Sequence, residues 1–138
     1  MALSFGFYAD PALTTRLVHR LAFVQDHLYP TPADKVIYFG SPLPGRTCRV
    51  KSSPGVAAIT ISPTDAAPAI GLPSSTLRLA LSASGLASAT PGAALVLPAI
   101  ILSGIANAIP IHMSVLDSLH VVGVYKDIGL TTNELIET

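Results

Sequence analysis

The chain has 138 residues, of which 50% are hydrophobic and 12% charged, with eight basic side chains balanced by eight acidic ones and a single cysteine. That length suits one domain with a sizeable core, whereas the charged share is about half the ~25% usual in soluble globular proteins. An internal disulfide or cysteine-rich metal site is excluded. Nucleic-acid binding is disfavoured, because the densest basic cluster, Arg46, Arg49 and Lys51, is too sparse to neutralise a phosphate backbone.

In chain order, Leu3, Phe5 and Phe7 alternate with Ser4, Gly6 and Tyr8, which predicts a first strand ending at the turn dipeptide Asp10-Pro11. The segment MALSFGFYAD lacks a basic region followed by a long apolar one, so no secretory signal is expected. Leu17, His19, Leu21 and Phe23 occupy one parity of a second strand, and Pro30 and Pro32 mark the loop that follows. Val36 to Phe39 is β-branched and aromatic and fits a pleated sheet. It is stopped by the loop Ser41 to Gly45, after which Arg46 to Val50 reads as a short polar strand with Cys48 as a small strand residue.

Ser53-Pro54-Gly55 is a turn, and Ala57, Ile59 and Ile61 then alternate with Ala58, Thr60 and Ser62. Pro63 to Ser75 holds three prolines and Gly71, a punctuation that predicts an irregular excursion. Leu77, Leu79 and Leu81 form the next apolar parity, and Gly85 to Gly92 has room for one helical turn. Ala93 to Leu102 is apolar on both parities, as for a strand buried between two layers, with Pro98 restricting it to an edge, a bulge or two short pieces. Ala108 to Leu116 and Leu119 to Tyr125 follow as a hairpin-like pair, and the tail from Leu130 to Thr138 is expected to be irregular and ordered by a partner.

No Lys, Arg, Asp or Glu occurs from Leu79 to Leu116. A membrane helix needs roughly 20 uninterrupted apolar residues, and Pro91, Pro98 and Pro110 break the run, so the stretch reads as core strands and no membrane partner is expected. Ile109, Ile111, Met113 and Val115 share one parity of it. Helix-period matches occur only at Asn133 to Glu137 and around Leu86, shorter than the ~10–14 residues of an average helix. The expected fold is therefore all-β: one antiparallel β-sandwich over residues 1–138, two layers facing one core. Phe5, Phe7, Leu21, Phe23, Ile37, Ile61, Leu79, Leu81, Ile109, Ile111, Met113 and Val121 are its predicted core.

The residues that could carry chemistry are scattered. His19, His27, His112 and His120 lack the short spacings of zinc sites. There is no G-x-S-x-G nucleophile elbow, no G-x-x-x-x-G-K phosphate loop and no D-x-D-x-D-G calcium loop. Both glutamates, Glu134 and Glu137, lie in the tail, and Asp10, Asp65, Asp117 and Asp127 fall in expected turns. No catalytic residue, cofactor or metal is therefore expected. The pattern Y-x-D-x-x-L-T-T occurs twice, from Tyr8 to Thr15 and from Tyr125 to Thr132, and reads as paired strand-end turns in which Asp and Thr side chains bond to nearby backbone.

Phe5-Gly-Phe-Tyr-Ala-Asp10 with Leu13-Thr-Thr, the turn Ser53-Pro-Gly55, Thr90-Pro-Gly-Ala-Ala-Leu-Val-Leu97 and Val122-Val-Gly-Val-Tyr125 together resemble small virion structural proteins of tailed bacteriophages. The resemblance implies an immunoglobulin-like or jelly-roll sandwich, made in the host cytoplasm and placed in the tail, baseplate or neck or on the capsid as a decoration protein. The implied partners are copies of itself and other virion proteins. Few charges and no net charge point the same way, toward a homo-oligomer whose surface is covered. The expected contacts are Pro42 and Pro44 in the loop, Pro68, Ile70 and Leu72 in the excursion, and Leu130, Leu135 and Ile136 in the tail. A carbohydrate- or receptor-binding sandwich is the alternative; the chain has no Trp, and only Tyr29 falls in an expected loop to stack on a sugar.

Overall fold

The computed structural model describes residues 3–17, 33–65, 77–115 and 128–138. Of the second expected strand, Leu17 to Val24, only Leu17 is among these residues, and the expected strand over Leu119 to Tyr125 lies outside them, as do His19, His27, His120, Leu21, Phe23 and Val121. The described chain is all-β with little helix. Its ten strands are β1 (Gly6–Tyr8), β2 (Ala33–Gly40), β3 (Thr47–Val50), β4 (Thr60–Asp65), β5 (Leu77–Ala80), β6 (Leu95–Val96), β7 (Ile100–Leu102), β8 (Ile109–Val115), β9 (Ile128–Thr132) and β10 (Leu135–Glu137). One helical turn, α1 (Ala83–Leu86), follows β5, and a 3-10 turn, Ile105–Asn107, precedes β8.

The strands form three antiparallel sheets, ordered β1-β2-β8-β5, β10-β3-β7 and β6-β4-β9. The first is built on the period-two pattern: Ile37 lies opposite Ile111 and Phe39 opposite Ile109, while Leu79 lies opposite Met113, so one parity of three strands points the same way. One core draws on all three sheets. It includes Phe5, Ile37, Phe39, Cys48, Val50, Ile59, Ile61, Leu77, Leu79, Leu97, Ile101, Ile111 and Met113, with Phe7, Ile109, Leu130 and Leu135 packed on its margin. Burial stabilises each large aliphatic or aromatic side chain by about 1.5–3 kcal/mol. The ring of Phe39 joins the first strand to this core, with its centroid 5.4 Å from Phe7 and 6.4 Å from Phe5.

Three prolines show how the sheets end. Pro63 lies inside β4 opposite Leu130, so the expected break at that residue is corrected: β6 pairs only with Thr60 and Ile61, and beyond them β4 is an edge on that side, where proline is tolerated. Pro110 in β8 obeys the same rule, because β5 ends at Ala80 opposite His112. Pro98 separates β6 from β7, and the chain changes sheet there.

Burial differs from expectation at two places. Leu81 is 47% exposed, because β5 stops at Ala80 and Ser82 turns the chain into α1, its hydroxyl accepting from the Gly85 N–H at 3.1 Å. The stretch from Ala93 to Leu102 is not buried on both parities. Leu97 and Ile101 point into the core, whereas Val96, Ile100 and Leu102 are exposed.

The tail is corrected as well. It is regular, and the chain itself orders it: β9 pairs with β4 and β10 with β3. At the step between them Asn133 substitutes for backbone, its Nδ2 donating to the Ala58 carbonyl at 3.1 Å and its Oδ1 accepting from the Thr60 N–H at 3.3 Å.

Candidate functional site

Three sequence-distant elements meet at one polar junction. β10 places Glu137 opposite Cys48, the segment before β1 supplies Ser4, and the loop after β2 supplies Ser41, which is fully buried. The Ser4 hydroxyl donates to Glu137 Oε1 at 2.7 Å, and the Ser4 N–H donates to the same oxygen at 2.8 Å. Because that hydroxyl hydrogen is engaged, the 2.6 Å contact between Ser4 and Ser41 has Ser41 as donor. Ser41 Oγ in turn accepts from the Leu43 N–H at 3.2 Å. The bonds run in one direction, from Leu43 through Ser41 and Ser4 to the carboxylate, an order in which each bond polarises the next.

Burial alone would push the Glu137 carboxyl upward. The donors from Ser4 and Phe5, with the charge of Arg46 nearby, outweigh it and hold the group below its usual value. Cys48 lies on the other side of this balance: burial, and then the Glu137 charge, push its thiol up to about 11. At neutral pH it is a protonated apolar filler and not a nucleophile. The junction therefore has the chemistry of a latch, with hydroxyls and amides spent on fixing one carboxylate.

A second polar device closes the turn after β1. The Asp10 carboxylate accepts from the Thr14 hydroxyl at 2.5 Å, from the Thr14 N–H at 3.0 Å and from the Thr15 N–H at 2.9 Å, and these bonds, the Thr14 hydroxyl foremost, lower its pKa. This is the strand-end turn expected of the first Y-x-D-x-x-L-T-T copy. Leu130 to Thr132 of the second copy lie within β9, and its Tyr125 and Asp127 lie outside the described residues. Within the first turn Leu13 has φ 55 and is buried. Arg16 braces the same region, its guanidinium donating to the Leu3 carbonyl at 2.8 Å and lying 5.9 Å from the Tyr8 ring centroid.

The third feature is apolar. Ile100 and Leu102 project from the outer face of β7, with Val96 four residues before Ile100 and Ile105 three after Leu102; all four are exposed. A Cβ on Gly55 would lie 3.7 Å from Ile100 Cδ1, which brings the turn carrying Val56, 83% exposed, to the same surface. β7 is at the end of its sheet.

Of the contact residues read from sequence, Pro42 and Pro44 are exposed in the loop beside Ser41, Leu130 and Leu135 are half-buried against the core, and Ile136 is half-buried on the opposite face of β10. Ser41 and Glu137 bring the loop and the end of the tail together through Ser4. Pro68, Ile70 and Leu72 lie outside the described residues. Sequence reasoning missed Ser4, Ser41 and Glu137 as a group, and missed the outer face of β7, which it read as core. Among the described residues no three His, Cys, Asp or Glu side chains gather to hold a metal, and no helix is long and apolar enough to cross a membrane. Compared with known proteins, the chain matches no family model, no curated sequence and no solved structure.

Proposed function

We propose that the chain is a non-enzymatic structural subunit of a tailed-bacteriophage virion, in the tail, baseplate or neck or as a capsid decoration protein. In this reading it is an antiparallel β-sandwich, immunoglobulin-like or jelly-roll, that works in contact with copies of itself and with other virion proteins. The observation that carries the proposal is the exposed apolar pair Ile100 and Leu102 on the edge strand β7, with the turn that carries the exposed Val56 beside Ile100, on a chain with no net charge. Large exposed apolar side chains grouped at one sheet edge mark interaction surfaces. The shared core of the three sheets supports the two-layer arrangement. The Ser4–Ser41–Glu137 latch supports a role that needs a stiff body, because it fixes the first strand, a loop and the last strand to one another.

Mass spectrometry of phage particles purified from the host that encodes the chain tests the proposal. The expected result is the chain in the particle at a fixed, multi-copy ratio to the major capsid protein. Recovery only in the soluble lysate, with none in particles, contradicts it.

A further inference from the structure

We infer that β7 is the contact strand between two copies of this chain, which pair antiparallel about a two-fold axis at Ile101 and join their β10-β3-β7 sheets into one. The inference deepens the proposed role as an assembly subunit and rests on it.

The bonding pattern of β3 establishes which backbone groups are available. The Ser103 N–H donates to the Arg46 carbonyl at 2.9 Å, whereas Thr47 exchanges both its bonds with Thr138, on the β10 side. Bonded and non-bonded pairs alternate along an antiparallel ladder. In the register Thr47 to Leu102, Cys48 to Ile101 and Arg49 to Ile100, Ile101 therefore turns its N–H and carbonyl to Cys48. Ile100 and Leu102 turn theirs away from β3, to an edge that no described strand covers.

A two-fold axis at Ile101 sets Ile100 of one copy opposite Leu102 of the other, and the reverse. Both residues direct their backbone groups to the open edge, so the two pairs can form four N–H to carbonyl bonds in the bonded register. The side chains obey the same symmetry. Ile101 points into its own core, while Ile100 and Leu102 point outward and meet their counterparts across the axis, a cross-strand contact of the kind that stabilises sheets. A two-fold contact places a surface against itself, so any charge near the axis meets its own sign. Leu79 to Leu116 contains no Lys, Arg, Asp or Glu. A second copy therefore meets no like charge on β7, and a partner recognised by charge would find nothing there to bind. The edge also lacks the lysines and inward charges with which sheet edges ordinarily resist pairing.

Cross-linking reads the register directly. In full-length protein, Ile100→Cys and Leu102→Cys variants, differently tagged and co-expressed, are oxidised mildly. The paired positions are about 5.5 Å apart between Cα atoms, within disulfide range, whereas like positions lie on a longer diagonal; Cys48 is buried in both. The expected product is mainly the mixed disulfide, several-fold above the homodimeric disulfide of either variant alone. Leu102→Lys should lower the sedimentation coefficient while its melting temperature matches that of wild type diluted to the monomer, and Val36→Lys, on the outer face of the first sheet, should leave the assembly intact. If the chain self-associates without the mixed disulfide and Leu102→Lys has no effect, the β7 contact is overturned and the subunit role stands. The same holds if the chain is monomeric in solution yet present in particles. A monomer absent from particles overturns both.

Discussion

Glu137 accepts two hydrogen bonds from Ser4, at 2.7 and 2.8 Å, across a separation of 133 positions. Through this one carboxylate oxygen the segment leading into β1 is fixed to β10, and through Ser41 both are fixed to the loop after β2.

The latch should weaken in acid. A carboxylate whose folded pKa is lowered contributes stability that is fully present above the ordinary value of 4.5 and is lost as pH falls through the lower folded value. Glu137→Gln should cost about 1 kcal/mol at neutral pH, below the ~1.5–3 kcal/mol of buried bonds to a charged group because the carboxylate is in part exposed. Melting curves of the two proteins should converge as pH drops through that window. A gap that stays constant would show that the charge is not what holds the latch.

Ser41→Ala should be worse than its size suggests. The buried hydroxyl both donates to Ser4 and accepts from Leu43, so its removal takes two hydrogen bonds from the latch, a loss of about 1–3 kcal/mol at roughly 0.5–1.5 kcal/mol each that urea unfolding would register. Thr131→Ala, on an exposed stretch of β9, should fall within about 0.5 kcal/mol of wild type.

Gly40 and Leu13 should prove coupled. A Cβ at position 40 would lie 3.2 Å from Leu13 Cδ1 and 3.4 Å from the Ala108 backbone, so Gly40→Ala should destabilise by about 1–3 kcal/mol through overpacking. In a Leu13→Ala background the extra cost of Gly40→Ala should shrink, giving a non-zero coupling energy in a double-mutant cycle. Additive effects would mean that the pressure on Gly40 comes from elsewhere.

Removing residues 128–138 should unfold the domain. The deletion strips β9 from β4, β10 from β3 and Glu137 from Ser4, and leaves Ile59 and Ile61, both fully buried, beside an open edge. Circular dichroism should show loss of the cooperative transition. A truncated chain that melts like the full one would contradict the role assigned here to the tail.

How much of this was legible beforehand depended on local pattern. Strands β2, β5 and β8 are visible because alternate apolar residues such as Ile37, Leu79 and Ile111 repeat every second position, which only a half-buried strand explains. The tail was misread because Leu135 to Glu137 is too short to have a period of its own; its strand state is imposed by Cys48 and Val50, far away in sequence. The β7 error has a similar cause, since a run apolar on both parities does not say which parity is covered. The Ser4–Ser41–Glu137 group had no sequence signal at all: serine and glutamate at those separations carry no motif, and only the approach of β10 to the first strand brings them together.

Sedimentation velocity of the full-length protein across a wide concentration range, alone and mixed with particles lacking it, tests the central claim most directly. A surface with Val56, Ile100 and Leu102 exposed and no net charge should give a self-associated species whose fraction rises with concentration, and the protein should co-sediment with the particles. A stable monomer at every concentration that never joins the particle would contradict the account of this chain as an assembly subunit.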